Sequence, residues 1–189
     1  MNNSLSLIKD SFERHRLAVQ KAEALTPTLE TVGQKMGEVL GSGGKLLMMG
    51  NGGSASDAQH FAAEIVVRYV KNRAAYPAIA LTTDTSLLTA AGNDYSFDHI
   101  FSRQVEALGR PGDLVFGFST SGNSKNVVEG VKEAKRRGCI TVGFLGRDGG
   151  VLKALVDYAL VVDDQETARV QEVHMLMYHI LCELFEESL

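Results

Sequence analysis

His60 and Glu64 stand four residues apart in the stretch "MGNGGSASDAQHFAAE", which runs from Met49 to Glu64. That spacing puts an imidazole and a carboxylate on one face of a helix, directly behind a mouth of glycines and small hydroxyls. A second stripe, Gln171, Met175 and His179, repeats at i, i+4 and i+8 near the C-terminus, where Gln171, His174 and His179 interrupt an otherwise apolar run. Taken singly, each has a plain explanation: a His–Glu pair one turn apart is often a surface contact, and a histidine in an apolar helix is more often a hydrogen-bonded core residue. Taken together they ask for partners, because buried polar groups need them. Two imidazoles, a carboxylate and an amide carbonyl could surround a divalent ion such as zinc and leave a place for substrate oxygens. The same groups could move protons instead. A carboxylate base would lift the proton beside a sugar carbonyl while an imidazole supplies one to the oxygen, the route that runs through an enediol.

Two loops have the chemistry of an anion site. "GNGGSAS" follows the first apolar run and "STSGNSKN", Ser119 to Asn126, follows the third. Glycine lets a backbone turn its amides inward, a helix N-terminus offers free N–H groups, and Ser119, Thr120, Ser121 and Ser124 add hydroxyl donors. One such loop alone would be read as helix capping; two at strand ends favour a phosphate ligand. "GNGGSA" also satisfies G-x-G-x-x-A, the dinucleotide fingerprint, but an acidic residue is expected about 20 positions on, at the end of the second strand, and the nearest candidate, Asp84, comes later and sits in a threonine-rich turn. No G-x-x-x-x-G-K-[ST] occurs, which argues against a nucleotide triphosphatase.

The elements that would position these groups follow from periodicity. Leu5, Ile8, Phe12, Val19, Ala22 and Leu25 predict an amphipathic helix over residues 4–25, broken by Pro27, and a second helix over 28–40 ended by "GSGG". Then "KLLMMG", "AIAL", "DLVFGFS", "CITVGFL" and "YALVV" alternate with helical stretches. Runs so short and apolar suit strands buried on both faces of a parallel sheet. The expected fold is α/β: a doubly wound, flavodoxin-like three-layer αβα sandwich with an N-terminal helical extension, one domain over residues 1–189. A last helix from about Glu166 is apolar almost all round, so it and the N-terminal helices, about residues 1–42, are expected to meet other copies of the chain.

Composition bounds the rest. A net charge of −4, with 44% hydrophobic and 22% charged residues, gives no footprint for nucleic acid or an anionic membrane. "KEAKRRG", Lys132 to Gly138, reads as the solvated end of a helix. With no apolar span and no leader-like start, a cytoplasmic location is expected. Cys139 and Cys182 read as buried free thiols.

"GNGGSASDAQHFAAE", "GNDYSFDHIFSRQVEALGRPGD", "STSGNSKNV", "GRDGG" and "TARVQEVHMLMYHIL" together resemble the phosphoheptose isomerases of the sugar isomerase (SIS) superfamily, over nearly the whole chain. The resemblance implies a five-stranded parallel sheet, a cytoplasmic homotetramer with sites shared between subunits, and conversion of sedoheptulose 7-phosphate to D-glycero-D-manno-heptose 7-phosphate. That is the first step toward activated heptose for lipopolysaccharide or other surface glycans. It further implies Glu64 as general base and His179 as acid. His60, Glu64, Gln171 and His179 match the zinc ligands of members that bind one zinc per subunit. Asn51, Gly52, Gly53, Glu64, Asn93, Asp94, Ser119, Thr120, Ser121, Ser124 and Gln171 match substrate contacts. Giving Glu64 two tasks creates a tension, since a carboxylate tightly bound to metal is a poorer base; zinc could instead polarise the carbonyl. One rival is a non-catalytic relative that binds the replication initiator, against which the Glu64 and His179 pair speaks. Another is an isomerase acting on arabinose 5-phosphate or a hexulose 6-phosphate. "EIVVRYVKNRAAYP" and "VVDDQETARV" depart from the commoner family pattern, with no reason to abolish activity.

Overall fold

Alternating side chains on the central strands point into two different cores. In β1 (Leu46–Met49), Leu46 and Met48 join one buried cluster while Leu47 and Met49 join another. A strand with both faces dry is the signature of a sheet covered on both sides by helices. The computed structural model describes residues 3–189 and contains one five-stranded sheet in the order β2-β1-β3-β4-β5. Its other strands are β2 (Ala78–Ala80), β3 (Leu114–Ser119), β4 (Ile140–Gly146) and β5 (Tyr158–Val162), and every pairing is parallel. All five lie where the apolar runs place them. β2 departs from the two-faced reading: it is a short edge strand, half-buried, with Ile79 exposed.

One face of the sheet carries α1 (Asn3–Ala22), α2 (Thr26–Gly41), α3 (Gly53–Val66) and α8 (Thr167–Glu187). The other carries α4 (Thr85–Asp94), α5 (Ser102–Leu108), α6 (Lys125–Arg136) and α7 (Gly150–Leu155). The first two helices differ from expectation at their junction. The chain leaves α geometry in a 3-10 turn, Glu23–Leu25, and α2 begins at Thr26 with Pro27 inside its first turn. Proline is at home there because that N–H has no intrahelical acceptor; it opens the second helix instead of ending the first. The lysines and arginines at the end of α6 pair with Glu129, Glu133 and Asp157, as a solvated helix end would. Cys139 and Cys182 are buried and unlinked, and no helix among the described residues is long and apolar enough to cross a membrane.

The segment after α3 is fastened by one carboxylate. Glu186, near the end of α8, accepts the backbone N–H groups of Tyr69, Val70 and Lys71 and the Arg73 Nε at 2.9 Å. Arg73 in turn donates to the carbonyls of Glu64 and Ile65, closing the C-terminal end of α3, and its guanidinium lies over the Phe185 ring. Burial opposes ionisation of Glu186, but its backbone donors and Arg73 overcome that and hold the carboxyl down at about 2, against an ordinary value of 4.5. A depressed carboxyl stabilises the fold above its unfolded value and loses that contribution as pH falls toward the folded one. Acid unfolding of the wild type between about pH 4.5 and 2 therefore includes protonation of Glu186. Glu186→Gln is expected to lower stability at neutral pH by about 3–5 kcal/mol, because it leaves Arg73 buried without its partner. Thermal melts across that pH range should show a shallower acid dependence for the variant.

Candidate active site

α3 and α8 lie side by side on the same face of the sheet, and their contact unites the two polar stripes. His60 Nε2 is 3.0 Å from Glu64 Oε1, one helical turn away. The His179 ring stands edge-on to His60 at 5.1 Å between centroids. Ligand atoms of His60, Glu64 and His179 all lie within 4.8 Å of one another, so these three half-buried side chains form a cluster able to hold a metal ion. Burial and the adjacent His60 ring push the His179 imidazole below its ordinary range, with Glu64 pulling the other way. It is therefore a neutral imidazole at neutral pH, able to donate or accept a proton. Gln171, two turns back along α8, packs on the loop: a Cβ added to Gly53 would lie 2.6 Å from its Nε2. The absence of a side chain at 53 leaves room for that approach.

The loops meet at the C-terminal ends of β1 and β3. Asn51 and Asn126 exchange two side-chain hydrogen bonds, 2.8 and 2.7 Å, which lock one loop to the other. Ser119 Oγ lies 2.9 Å from Ser124 Oγ and 3.5 Å from Ser121 Oγ, so three hydroxyls converge. Ser124 occupies the N-cap of α6 without making a side-chain cap bond, and Gly52 at the N-cap of α3 has no side chain to make one. The capping explanation thus fails for both loops. What remains is a set of hydroxyls and first-turn amides with anion-binding chemistry. Thr120 is half-buried beside them. Gly122, at φ 66°, presses against the backbone at Gly149, so the "GRDGG" turn buttresses the serine loop. Asn123 Oδ1 completes the brace by accepting the Val151 N–H at 3.0 Å. Asn93 and Asp94 sit apart from this group, exposed at the end of α4 and hydrogen-bonded to each other at 2.9 Å.

His174 has the plainer role. It is fully buried, its Nε2 donates to the Leu145 carbonyl at 3.1 Å, and burial pushes its imidazole down to about 4. Two neighbours of these groups carry no signal in the sequence pattern. Tyr178 places its hydroxyl 2.9 Å from His60 Nδ1, and Asn126 ties the loops. A tyrosine in an apolar helix signals only core, although a buried phenol always requires a partner. Asp57, buried one turn before His60, is pushed up to about 6 by burial, against the pull of His60.

A doubly wound sheet with an acid–base cluster beside two phosphate-type loops defines a sugar-phosphate binding domain, and the SIS domain family matches residues 12–146. The phosphoheptose isomerase of Trichlorobacter lovleyi is 52% identical over 97% of this chain and 94% of its own length. Phosphoheptose isomerase 1 of Campylobacter jejuni is 50% identical over 97% and 99%. The structure of the phosphoheptose isomerase from Neisseria gonorrhoeae superposes with a TM-score of 0.92 at 45% identity, covering 98% of this chain and all of that one. The chain belongs to the phosphoheptose isomerases of the SIS family.

Asn126→Ala would leave the Asn51 amide without its reciprocal partner. The expected cost is about 1–3 kcal/mol of stability, with a KM for sugar phosphate raised more than kcat is lowered. Denaturant titration and steady-state kinetics on the same preparation check both.

Proposed function

We propose that the protein isomerises D-sedoheptulose 7-phosphate to D-glycero-D-manno-heptose 7-phosphate through an enediol, the first step toward ADP- or GDP-heptose for lipopolysaccharide or other surface glycans. The observation that carries this reading is the convergence of Glu64 and His179 within one metal-sized cluster on facing helices. In the reaction, the Glu64 carboxylate takes the proton from the carbon beside the carbonyl. His179 gives a proton to the carbonyl oxygen to form the enediol, then recovers one from the neighbouring hydroxyl while Glu64 returns its proton to the former carbonyl carbon, so the carbonyl moves by one carbon. Ser119, Thr120, Ser121 and Ser124 hold the phosphate with the first-turn amides. Asn51, Gly52, Gly53 and Gln171 line the sugar chain, and Asn93 and Asp94, which lie apart from these groups within one chain, would contact substrate only in a site shared between subunits.

The donor set of two imidazoles and a carboxylate fits zinc, and Gln171 would add an amide oxygen. Bound there, zinc would polarise the oxygens of the carbonyl and hydroxyl pair as a Lewis acid. The chain acts in the cytoplasm as one SIS domain and assembles as a homotetramer with shared sites. Support for assembly comes from α1, where Leu5, Leu7, Ile8 and Phe12 are exposed, and from Met175, Leu176 and Leu184 on α8. Such apolar surface is expected to be covered by other subunits. Light scattering should give the mass of four 20.4-kDa chains.

In deuterated solvent, wild type should convert sedoheptulose 7-phosphate while placing solvent deuterium on the carbon that receives the proton. Glu64→Gln should lose conversion and exchange by about 10²-fold or more. NMR of the sugar carbons reads both. No exchange from wild type, with or without zinc, would reject the assignment.

A further inference from the structure

Tyr178 stands behind the cluster with no exposed surface. Its ring stacks on Phe61, 5.4 Å between centroids and 19° from parallel, so packing fixes where the hydroxyl can reach. That hydroxyl meets His60 Nδ1 at 2.9 Å, while the other ring nitrogen, Nε2, faces Glu64 Oε1 at 3.0 Å. An ionised carboxylate only accepts hydrogen bonds. The single proton of a neutral His60 ring therefore sits on Nε2, Nδ1 presents its lone pair, and the Tyr178 O–H donates to it.

Zinc ligation through Nε2 demands the opposite tautomer, with the proton on Nδ1 and an acceptor opposite. A backbone carbonyl or carboxylate at Nδ1, the common partner of a ligating histidine, would lock the ring in that second form. A hydroxyl rotates and serves either form. The phenol therefore remains a group that can turn from donor to acceptor as the ring nitrogen opposite it changes role.

We propose that Tyr178 is a positioning residue for His60, holding the ring in place through both tautomers so that the cluster can stand as a metal-free His60–Glu64 pair or as a metal-ligating set. The proposal rests on the reading of His60, Glu64 and His179 as the reactive cluster. It adds a neighbour that decides which nitrogen faces it. It also gives one account of the two tasks of Glu64. In the metal-free form Glu64 is a hydrogen-bond acceptor of His60 with its second oxygen free, and in the metal form it is a ligand.

The test uses the full chain, stripped of metal and labelled with ¹⁵N at the histidine rings, with long-range ¹H–¹⁵N spectra recorded at neutral pH. Metal-free wild type should show the His60 proton on Nε2 and a hydrogen-bonded Nδ1, and zinc should move the proton to Nδ1. Tyr178→Phe, which keeps the ring packing, should shift the Nδ1 resonance toward that of an unbonded lone pair. It should also weaken zinc binding about 10–100-fold in competition with a chromogenic chelator. A His60 proton already on Nδ1 in metal-free wild type overturns the proposal without recourse to a variant. So do Tyr178→Phe spectra and zinc affinity equal to those of wild type. Wild type that takes up no zinc overturns the two-state part, and the metal-free spectra then decide the positioning part alone. None of these readings needs substrate, so they stand apart from success or failure of the isomerase assignment.

Discussion

The site exists because α8, the last element of the chain, packs against α3, the first helix after a strand. Phe61 and Tyr178 stack across that seam at 5.4 Å, and Phe61 meets Phe116 of β3 edge-on at 5.1 Å. These rings take water out of the seam and fix the rotation of both helices about their axes. Once the rotation is fixed, the residue before Glu64's helical turn and the residue after Tyr178 have one place to go. His60 neighbours Phe61, His179 neighbours Tyr178, and the two imidazoles meet at the rim of the apolar stack. Apolar packing and the polar cluster are thus one object, in which hydrophobic burial supplies the precision that acid–base chemistry demands.

The two loops depend on a different physics. Their groups lie at the carboxyl ends of parallel strands, where each chain must turn into a helix and leaves first-turn amides without partners. Asn51 and Asn126 satisfy each other, the three serine hydroxyls face one another, and neither helix takes a side-chain cap. Polar groups already gathered and partly desolvated lose less freedom when an anion arrives. The "GRDGG" turn adds stiffness from behind by filling the space that a side chain at Gly122 would need.

Much of this was readable in the chain because it is periodic. Five apolar runs bounded by glycine and polar turns gave the strands, and the i, i+4 pairs gave the two functional stripes. What periodicity could not convey were distances between elements. Nothing in the spacing of "AQHFAAE" and "MLMYHIL" says that their faces oppose, and that step came from resemblance. Tyr178 and Asn126 went unassigned for the same reason, since each acts through a partner more than 70 residues away in sequence. At Pro27 the ambiguity is of another kind: proline forbids an interior helical hydrogen bond but not a first-turn position, and local sequence does not state which applies. Composition likewise does not distinguish an edge strand such as β2 from a central one buried on both faces.

The same limit bears on how function is divided among the residues of α8. Gln171, His174, Tyr178 and His179 are four polar groups on one mostly apolar helix, and composition treats them alike. The fold separates them by what each polar atom meets. His174 donates to a strand carbonyl, Gln171 reaches the loop at Gly53, His179 stands against His60, and Tyr178 meets the other side of the same histidine. A buried polar side chain is costly unless partnered, so the identity of the partner, more than burial itself, distinguishes the chemical from the architectural. By that criterion Glu186 belongs with the site although it touches no reacting atom. Through Arg73 it fixes the carbonyl of Glu64, and through the backbone of residues 69–71 it sets Tyr69 beside the His179 ring. The Glu64 carboxylate and the His179 imidazole are therefore held from two sides, by an aromatic seam within the fold and by a charged clasp at its edge.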